Sequence, residues 1–265
     1  MNATRFSVVS SAILAATLAA CGGATTETSA AAPGAPATPA SGAETTPVID
    51  PGDGGVYAPD LDPADFVTNV DNPFLPLPPG SVWVYEGIAD GETERIEVVV
   101  TPDRRDVMGV SAVVVRDTVT IGDELVEDTF DWYAQDAEGN VWYLGEETAE
   151  YEDGEVVSTA GSWEAGVDGA LPGIVMEAAP AVGDAYRQEY YVGEAEDLAE
   201  VVRGGVSETV PYGDFDDLLV IEEWNPLAPE AVEEKYYAAG IGMVLEVKTA
   251  GGDERVELLE FIPGS

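Results

Sequence analysis

Between residues 82 and 262, apolar side chains recur at alternate positions, and short polar or glycine-bearing breaks separate the runs. A period of two marks a strand with one face toward a core and the other toward water. The runs are Val82–Ile88, Thr93–Thr101, Val110–Ile121, Leu125–Gln135, a following arm that ends near Glu152, Val156–Ala160, Asp184–Val192, Val206–Val210, Leu218–Trp224, Val232–Ala239, Met243–Thr249 and Arg255–Ile262. Breaks such as Gly122-Asp123-Glu124, Asp153-Gly154 and Gly251-Gly252-Asp253 are short, so successive strands are antiparallel neighbours. The pattern predicts an all-β fold: a single antiparallel meander of about 11–12 strands, curled into a half-barrel or barrel, in one domain over 63–265. Two stretches break the pattern. Gly193–Arg203 carries Leu198, Val201 and Val202 at helical spacing with acids in its first turns, and predicts one short helix. Gly161–Gly183, with five glycines plus Pro172 and Pro180, predicts a long connection without regular structure, a kind of segment that is often functional.

The sharpest local signal is the hairpin Phe130–Glu147, whose arms flank the polar loop Asp136-Ala137-Glu138-Gly139-Asn140. Each arm carries an aromatic doublet, Trp132-Tyr133 and Trp142-Tyr143, and the doublets recur as Tyr190-Tyr191 and Tyr236-Tyr237. Adjacent strand residues point to opposite faces, so a doublet asks for shelter on both sides of the sheet. The second ring of each pair is covered either by protein or by an apolar or amphipathic ligand held in the concavity.

The first 20 residues read as an export signal: Arg5, then an apolar or small-residue run Phe6–Ala20 that is too short to span a bilayer. It ends in Leu18-Ala19-Ala20-Cys21, which resembles the lipobox of bacterial lipoproteins. The resemblance implies cleavage before Cys21, lipidation of that residue, and a lipid-anchored place on the extracytoplasmic side of a bacterial membrane. Gly22 is not aspartate, so the inner-membrane retention signal of an organism with two membranes is absent. Residues 21–62, rich in Ala, Thr, Pro and Gly, predict a disordered tether. At its end, Asp60, Asp62 and Asp65 suit a capping role better than a calcium loop.

Composition narrows the chemistry. The chain has 265 residues with 52 acids against 10 bases, a formal charge of −42. Nucleic acid is excluded as a partner, because phosphate binding needs clustered cations. The acidity reads as a solvated surface, with divalent-cation capture as the alternative. There is no histidine, which removes imidazole catalysis and His-ligated zinc, and Cys21 is the lone cysteine. Catalysis would rest on carboxylates, tyrosines or arginine, and with so many acids a chance carboxylate pair is expected. No cofactor is indicated and no metal site is assigned.

The ligand-binding candidates are the doublets Trp132, Tyr133, Trp142, Tyr143, Tyr190, Tyr191, Tyr236 and Tyr237. Trp163, Glu164 and Asp168 from the glycine-rich segment join them, with Arg187, a rare cation suited to a carboxylate or phosphate. Asp71-Asn72-Pro73-Phe74, Pro79-Gly80-Ser81-Val82-Trp83, the 130–147 hairpin, GSWEAGVDGALPGIVM at 161–176, YRQEYY with GEAED, VPYGDF and KYYAAGIGMV together resemble a family of uncharacterised bacterial secreted lipoproteins over residues 70–262. The shorter Gly213-Asp214-Phe215 and Tyr237-Ala238-Ala239-Gly240-Ile241-Gly242 are similar to the Lol-type lipoprotein-localisation carriers, a likeness that bears on fold. Neither resemblance brings catalytic residues. The expectation is a lipid-anchored envelope binding module, the alternatives being calcium binding, a structural role or a carboxylate hydrolase.

Overall fold

A computed structural model describes residues 50, 56–89 and 91–265; the signal peptide, Cys21 and most of the tether lie outside them. A 3₁₀ turn, Pro63–Asp65, is the one helical element described, and Asp62 caps it by accepting from Ala64 N at 2.9 Å. The rest is strand and turn. A short arm carries β1 (Asp71–Asn72) and β2 (Leu75–Pro76). Long strands follow as β3 (Val82–Ala89), β4 (Glu92–Val107), β5 (Val110–Ile121), β6 (Glu124–Gln135) and β7 (Val141–Glu152). Shorter ones come next: β8 (Glu155–Ser158), β9 (Trp163–Glu164), β10 (Leu171–Met176), β11 (Ala185–Arg187) and β12 (Glu189–Tyr190). The chain closes with β13 (Leu198–Val210), β14 (Gly213–Trp224), β15 (Val232–Ala238), β16 (Gly242–Ala250) and β17 (Arg255–Ile262).

Fifteen of these strands form one antiparallel sheet in the order β11-β13-β14-β15-β16-β17-β3-β4-β5-β6-β7-β10-β12, with β8 and β9 also on β7. Most neighbours are consecutive in the chain, as a meander requires. The exception at the centre is β17 on β3, which brings the last strand back to the first long one. The sheet is curled and is not closed into a barrel by a continuous ladder. Its two edges nevertheless meet through the chain itself. β11 lies on β13 at one edge and β12 on β10 at the other, and only Gln188 separates β11 from β12.

Two expectations need correction. The predicted helix over Gly193–Arg203 is absent. A turn at 192–194, with Gly193 at φ 81° and its N–H bonded to Glu196 Oε1, is followed by a bridge from Ala195 to Tyr191, and Leu198 onward is β13. Val201 and Val202 are β-branched and favour the pleated surface, and pairing with β14 overrides the helical spacing. The segment Gly161–Gly183 is also not a structureless connection, since it contains β9 and β10. β10 is buried along nearly its whole length, so its run Leu171–Met176 shows no alternation, and Pro172 and Gly173 disguise it further. Gly173 is needed there because a Cβ would lie 2.1 Å from Gln188 O.

The arm from Tyr57 to Pro79 closes one end of the curl. Asn72 pins it: its side chain donates to Gly139 O and Glu177 O, and accepts from Phe74 N and Leu75 N. Gln135 Oε1 accepts from the N–H groups of Asp71 and Asn72, both at 2.8 Å. Leu75 and Leu77 are thereby buried against Trp83, Tyr85, Val115 and Met243.

Candidate functional site

Residues two apart share a face of a strand. On β6 this puts Glu127, Thr129, Asp131 and Tyr133 on one side, and on β15 Glu233, Lys235 and Tyr237. The registers extend the face: Asp131 lies opposite Glu146, Tyr133 opposite Tyr143, Glu223 opposite Glu233, and Lys235 opposite Glu246. This is the inner face of the curl, and it is filled. Tyr133, Tyr143, Tyr186 and Tyr237 are buried there with Ile96 and Ile221. Two cavities, one at Leu75, Trp83 and Met243 and one at Asp197, Glu223 and Glu233, measure about 20 Å³ each. Each has room for a water molecule or so and not for an acyl chain.

What fills the interior is unusual for a core. Nine acids, Glu94, Asp117, Glu127, Asp131, Glu146, Glu189, Asp197, Glu223 and Glu246, are each 5% exposed or less, while the buried cations are Lys235 and Arg187. Isolated buried carboxylates are too costly to stay charged, so a set this size must be paired, hydrogen-bonded or protonated. Three groupings show how. Lys235 Nζ lies 2.6 Å from Glu223 Oε2, 3.3 Å from Glu233 Oε1 and 3.9 Å from Glu246 Oε2, so one ammonium serves three carboxyls. Burial pushes Glu223 up, and pushes Glu246 up well above the usual carboxylate range, with Glu233 adding to both.

The second grouping is built on Tyr143. Its hydroxyl lies 2.7 Å from Asp131 Oδ1 and 3.1 Å from Glu146 Oε2. A phenol has one proton to donate, so when both contacts are hydrogen bonds one acid donates back. Burial raises Glu146 well above its usual range and Asp131 to about 7, which supplies that proton. The third is Glu189 with Asp197. Their backbones meet, with Glu189 N 3.5 Å from Asp197 O, and both side chains are buried; Glu189 Oε1 and Asp197 Oδ2 have no hydrogen-bond partner. Trp163 Nε1 donates to Glu189 Oε2 at 2.7 Å. Burial first, then the facing acid, lifts Glu189 far above the carboxylate range, while burial raises Asp197 to about 7. Gln188 Nε2 bonds Glu223 Oε1 at 2.9 Å and so links this pair to the Lys235 group. Among the described residues no group of three or more acidic side chains is placed to hold a metal ion.

The sequence candidates separate into distinct places. Tyr133, Tyr143, Trp163 and Tyr237 are interior; Tyr133 and Tyr143 stack at 4.9 Å, and Trp163 meets Tyr143 edge-on. Trp132 and Glu164 lie on the outer side, where the Arg105 guanidinium sits 3.9 Å from the Trp132 ring and pairs with Glu164. Trp142 donates to Asp136 Oδ2, which helps set the hairpin loop. Tyr236 bonds Glu234 and Arg203, away from its neighbour Tyr237. Asp168 is exposed in a turn at φ 50°, and Tyr191 bridges Ala195. Arg187 and Tyr190 come together, guanidinium to ring 4.2 Å, with Tyr57 stacked edge-on against Tyr190 at 5.6 Å. The doublets Trp132-Tyr133 and Tyr236-Tyr237 are buried by protein on both faces, while Trp142, Tyr190 and Tyr191 are half-buried. The buried acids, Lys235 and Tyr57 went unnoticed in the sequence. Their signal was phase: acids two and six residues before Tyr133, and Glu233 and Lys235 in step with Tyr237.

No protein-family model matches this chain, and no characterised protein matches it in sequence. Two solved structures resemble it at 14% identity. A "putative exported protein with YmcC-like fold" from Bacteroides fragilis gives a TM-score of 0.43 over 72% of this chain and 99% of that one. A "putative lipoprotein" from Parabacteroides distasonis gives 0.39 over 71% and 98%. Neither is named as a lipoprotein-localisation carrier. Likenesses this distant carry no functional weight, so the residues of this chain alone must support a function.

Proposed function

We propose that this chain is a lipid-anchored protein of the bacterial cell envelope, held on the extracytoplasmic side through Cys21. Its folded domain binds a small amphipathic ligand by an anionic head. The anchor rests on the lipobox-like Leu18-Ala19-Ala20-Cys21. The observation that carries the binding reading is Arg187. It is buried, and no carboxylate among the described residues forms an ion pair with it; Nε and Nη1 have no hydrogen-bond partner. A buried cation left without a counter-charge is strongly unfavourable. The other buried cation, Lys235, has three carboxyls around it. Tyr57 and Tyr190 pack against the guanidinium, 5.5 Å and 4.2 Å from their ring centroids. The unpartnered Nε–H and Nη1–H groups are each free to donate to a carboxylate or phosphate oxygen. Because the concavity is filled, the seat we propose lies at the junction of the sheet edges, where Arg187 sits.

The test is calorimetric titration of the full chain in non-ionic detergent with dodecanoate and, separately, dodecanol. The reading predicts that dodecanoate binds, that dodecanol binds far more weakly, and that Arg187→Gln weakens dodecanoate binding by about tenfold or more. Equal binding of acid and alcohol, or no effect of Arg187→Gln, would overturn it.

A further inference from the structure

Tyr57 lies near the end of the tether, and its side chain reaches both edges of the large sheet. Its hydroxyl donates to Pro172 O of β10 at 2.6 Å, and its ring stands edge-on to Tyr190 of β12 at 5.6 Å. The guanidinium of Arg187, on β11, lies against both rings, 5.5 Å from the centroid of Tyr57 and 4.2 Å from that of Tyr190. The backbone that carries Tyr57 is loosely held. Val56 is 93% exposed, Ala58 and Asp60 are exposed, and among the described residues 56–61 make no backbone–backbone hydrogen bond. The arm first bonds the sheet at Asp65 and Val67, which meet Ala137 and Gln135. We propose that residues 56–61 are a displaceable strap with Tyr57 as its latch, so that solvent reaches the Arg187 guanidinium only when the Tyr57 ring swings away.

The latch consists of one hydrogen bond and two ring contacts, to which Leu61 adds apolar packing against the core. A segment with exposed side chains and no backbone ladder opens locally at far lower cost than the sheet beneath it. The closed strap also leaves Arg187 incompletely served. The ring face attracts the cation, but it offers no acceptor atom in the plane of the guanidinium, and Nε and Nη1 stay buried without a partner. An anion that takes the place of the ring supplies those acceptors. The use of the strap as a gate for a ligand rests on the reading given under Proposed function; the strap itself does not.

The test is modification of Arg187 by phenylglyoxal, a neutral arginine-selective dicarbonyl, on the full chain in non-ionic detergent at fixed pH. Peptide mass mapping reads the adduct, with the exposed Arg104 as internal reference. In the wild type Arg187 is expected to react slowly, at a rate that hardly changes in low urea, as local opening requires. Tyr57→Phe keeps the ring and loses the donor, and is expected to speed the reaction of Arg187 by about two- to tenfold. Tyr57→Ala removes the latch and is expected to speed it by more than about tenfold, with Arg104 unchanged in both variants. Equal Arg187 rates in the wild type and Tyr57→Ala, or a wild-type rate that climbs with urea as steeply as global unfolding, would overturn the strap. If Tyr57→Ala fails to fold, Tyr57→Phe and the wild-type urea series decide. Dodecanoate supplies the ligand arm: it is expected to protect Arg187 in the wild type and to associate faster with Tyr57→Ala in stopped flow. Protection without faster association would overturn the gate. No protection, with the strap results as predicted, would overturn the ligand reading and leave the strap standing.

Discussion

Lys235 shows at the scale of one residue how the interior is held. An ammonium with no exposed surface, ringed by Glu223, Glu233 and Glu246, offsets the charge of groups that otherwise could not be buried. Replacing it with methionine keeps the volume and removes the charge. Lys235→Met is expected to destabilise the protein by about 3–5 kcal/mol at neutral pH, the usual cost of orphaning one side of a buried ion pair. The loss should shrink in acid, as the three carboxyls take up protons and no longer need a counter-charge. Denaturant unfolding at two pH values checks both statements. At this scale the sequence was only partly legible. Strand alternation sets Arg187 on one face with Glu189 and Tyr191, so its contact with the Tyr190 ring was not legible. That Asp131, Glu146, Glu189 and Asp197 would be interior did not show, because an acid on a strand reads as solvent-facing unless its phase with a buried tyrosine is counted.

Among the elements, long alternating strands were readable and short buried ones were not. The hairpin at Phe130–Glu147 formed as the doublets and the loop indicated. Asp136 Oδ1 accepts from the N–H groups of Glu138, Gly139 and Asn140, and Gly139 takes φ 105°. β10 hid behind a proline and a glycine, and β13 hid behind an accidental helical spacing. Both errors have one cause: tertiary burial on two faces erases the alternation that marks a strand. β10 also gives a prediction. Gly173 passes so close to the Gln188 backbone that a methyl group cannot be admitted without moving the junction of the sheet edges. Gly173→Ala is expected to cost about 1–3 kcal/mol, as overpacking does, measured as a lowered denaturation midpoint. Its increase in hydrogen exchange should concentrate at 185–190. A spread over the whole sheet would show that this junction is not a separable unit.

The whole molecule carries its acidity in two ways. Most of its 52 acids contribute to a formal charge of −42, and a minority are enclosed with raised proton affinity. Each kind gives stability its own dependence on pH and salt. For the enclosed acids the folded protein holds protons more tightly than the unfolded chain. Their contribution is therefore full below the ordinary carboxyl range and is lost as pH rises toward the folded values, about 7 for Asp131 and Asp197. Surface repulsion also grows with pH over part of this window, but it is screened within ~3 Å at 1 M salt, whereas enclosed groups are screened much less. The most direct test of a proton-loaded interior is thus the unfolding free energy of the full chain between about pH 4.5 and about pH 8, measured in ~1 M sodium chloride. The account predicts a steady fall in stability with rising pH that survives the salt. A stability that is flat, or that rises with pH under those conditions, would contradict it.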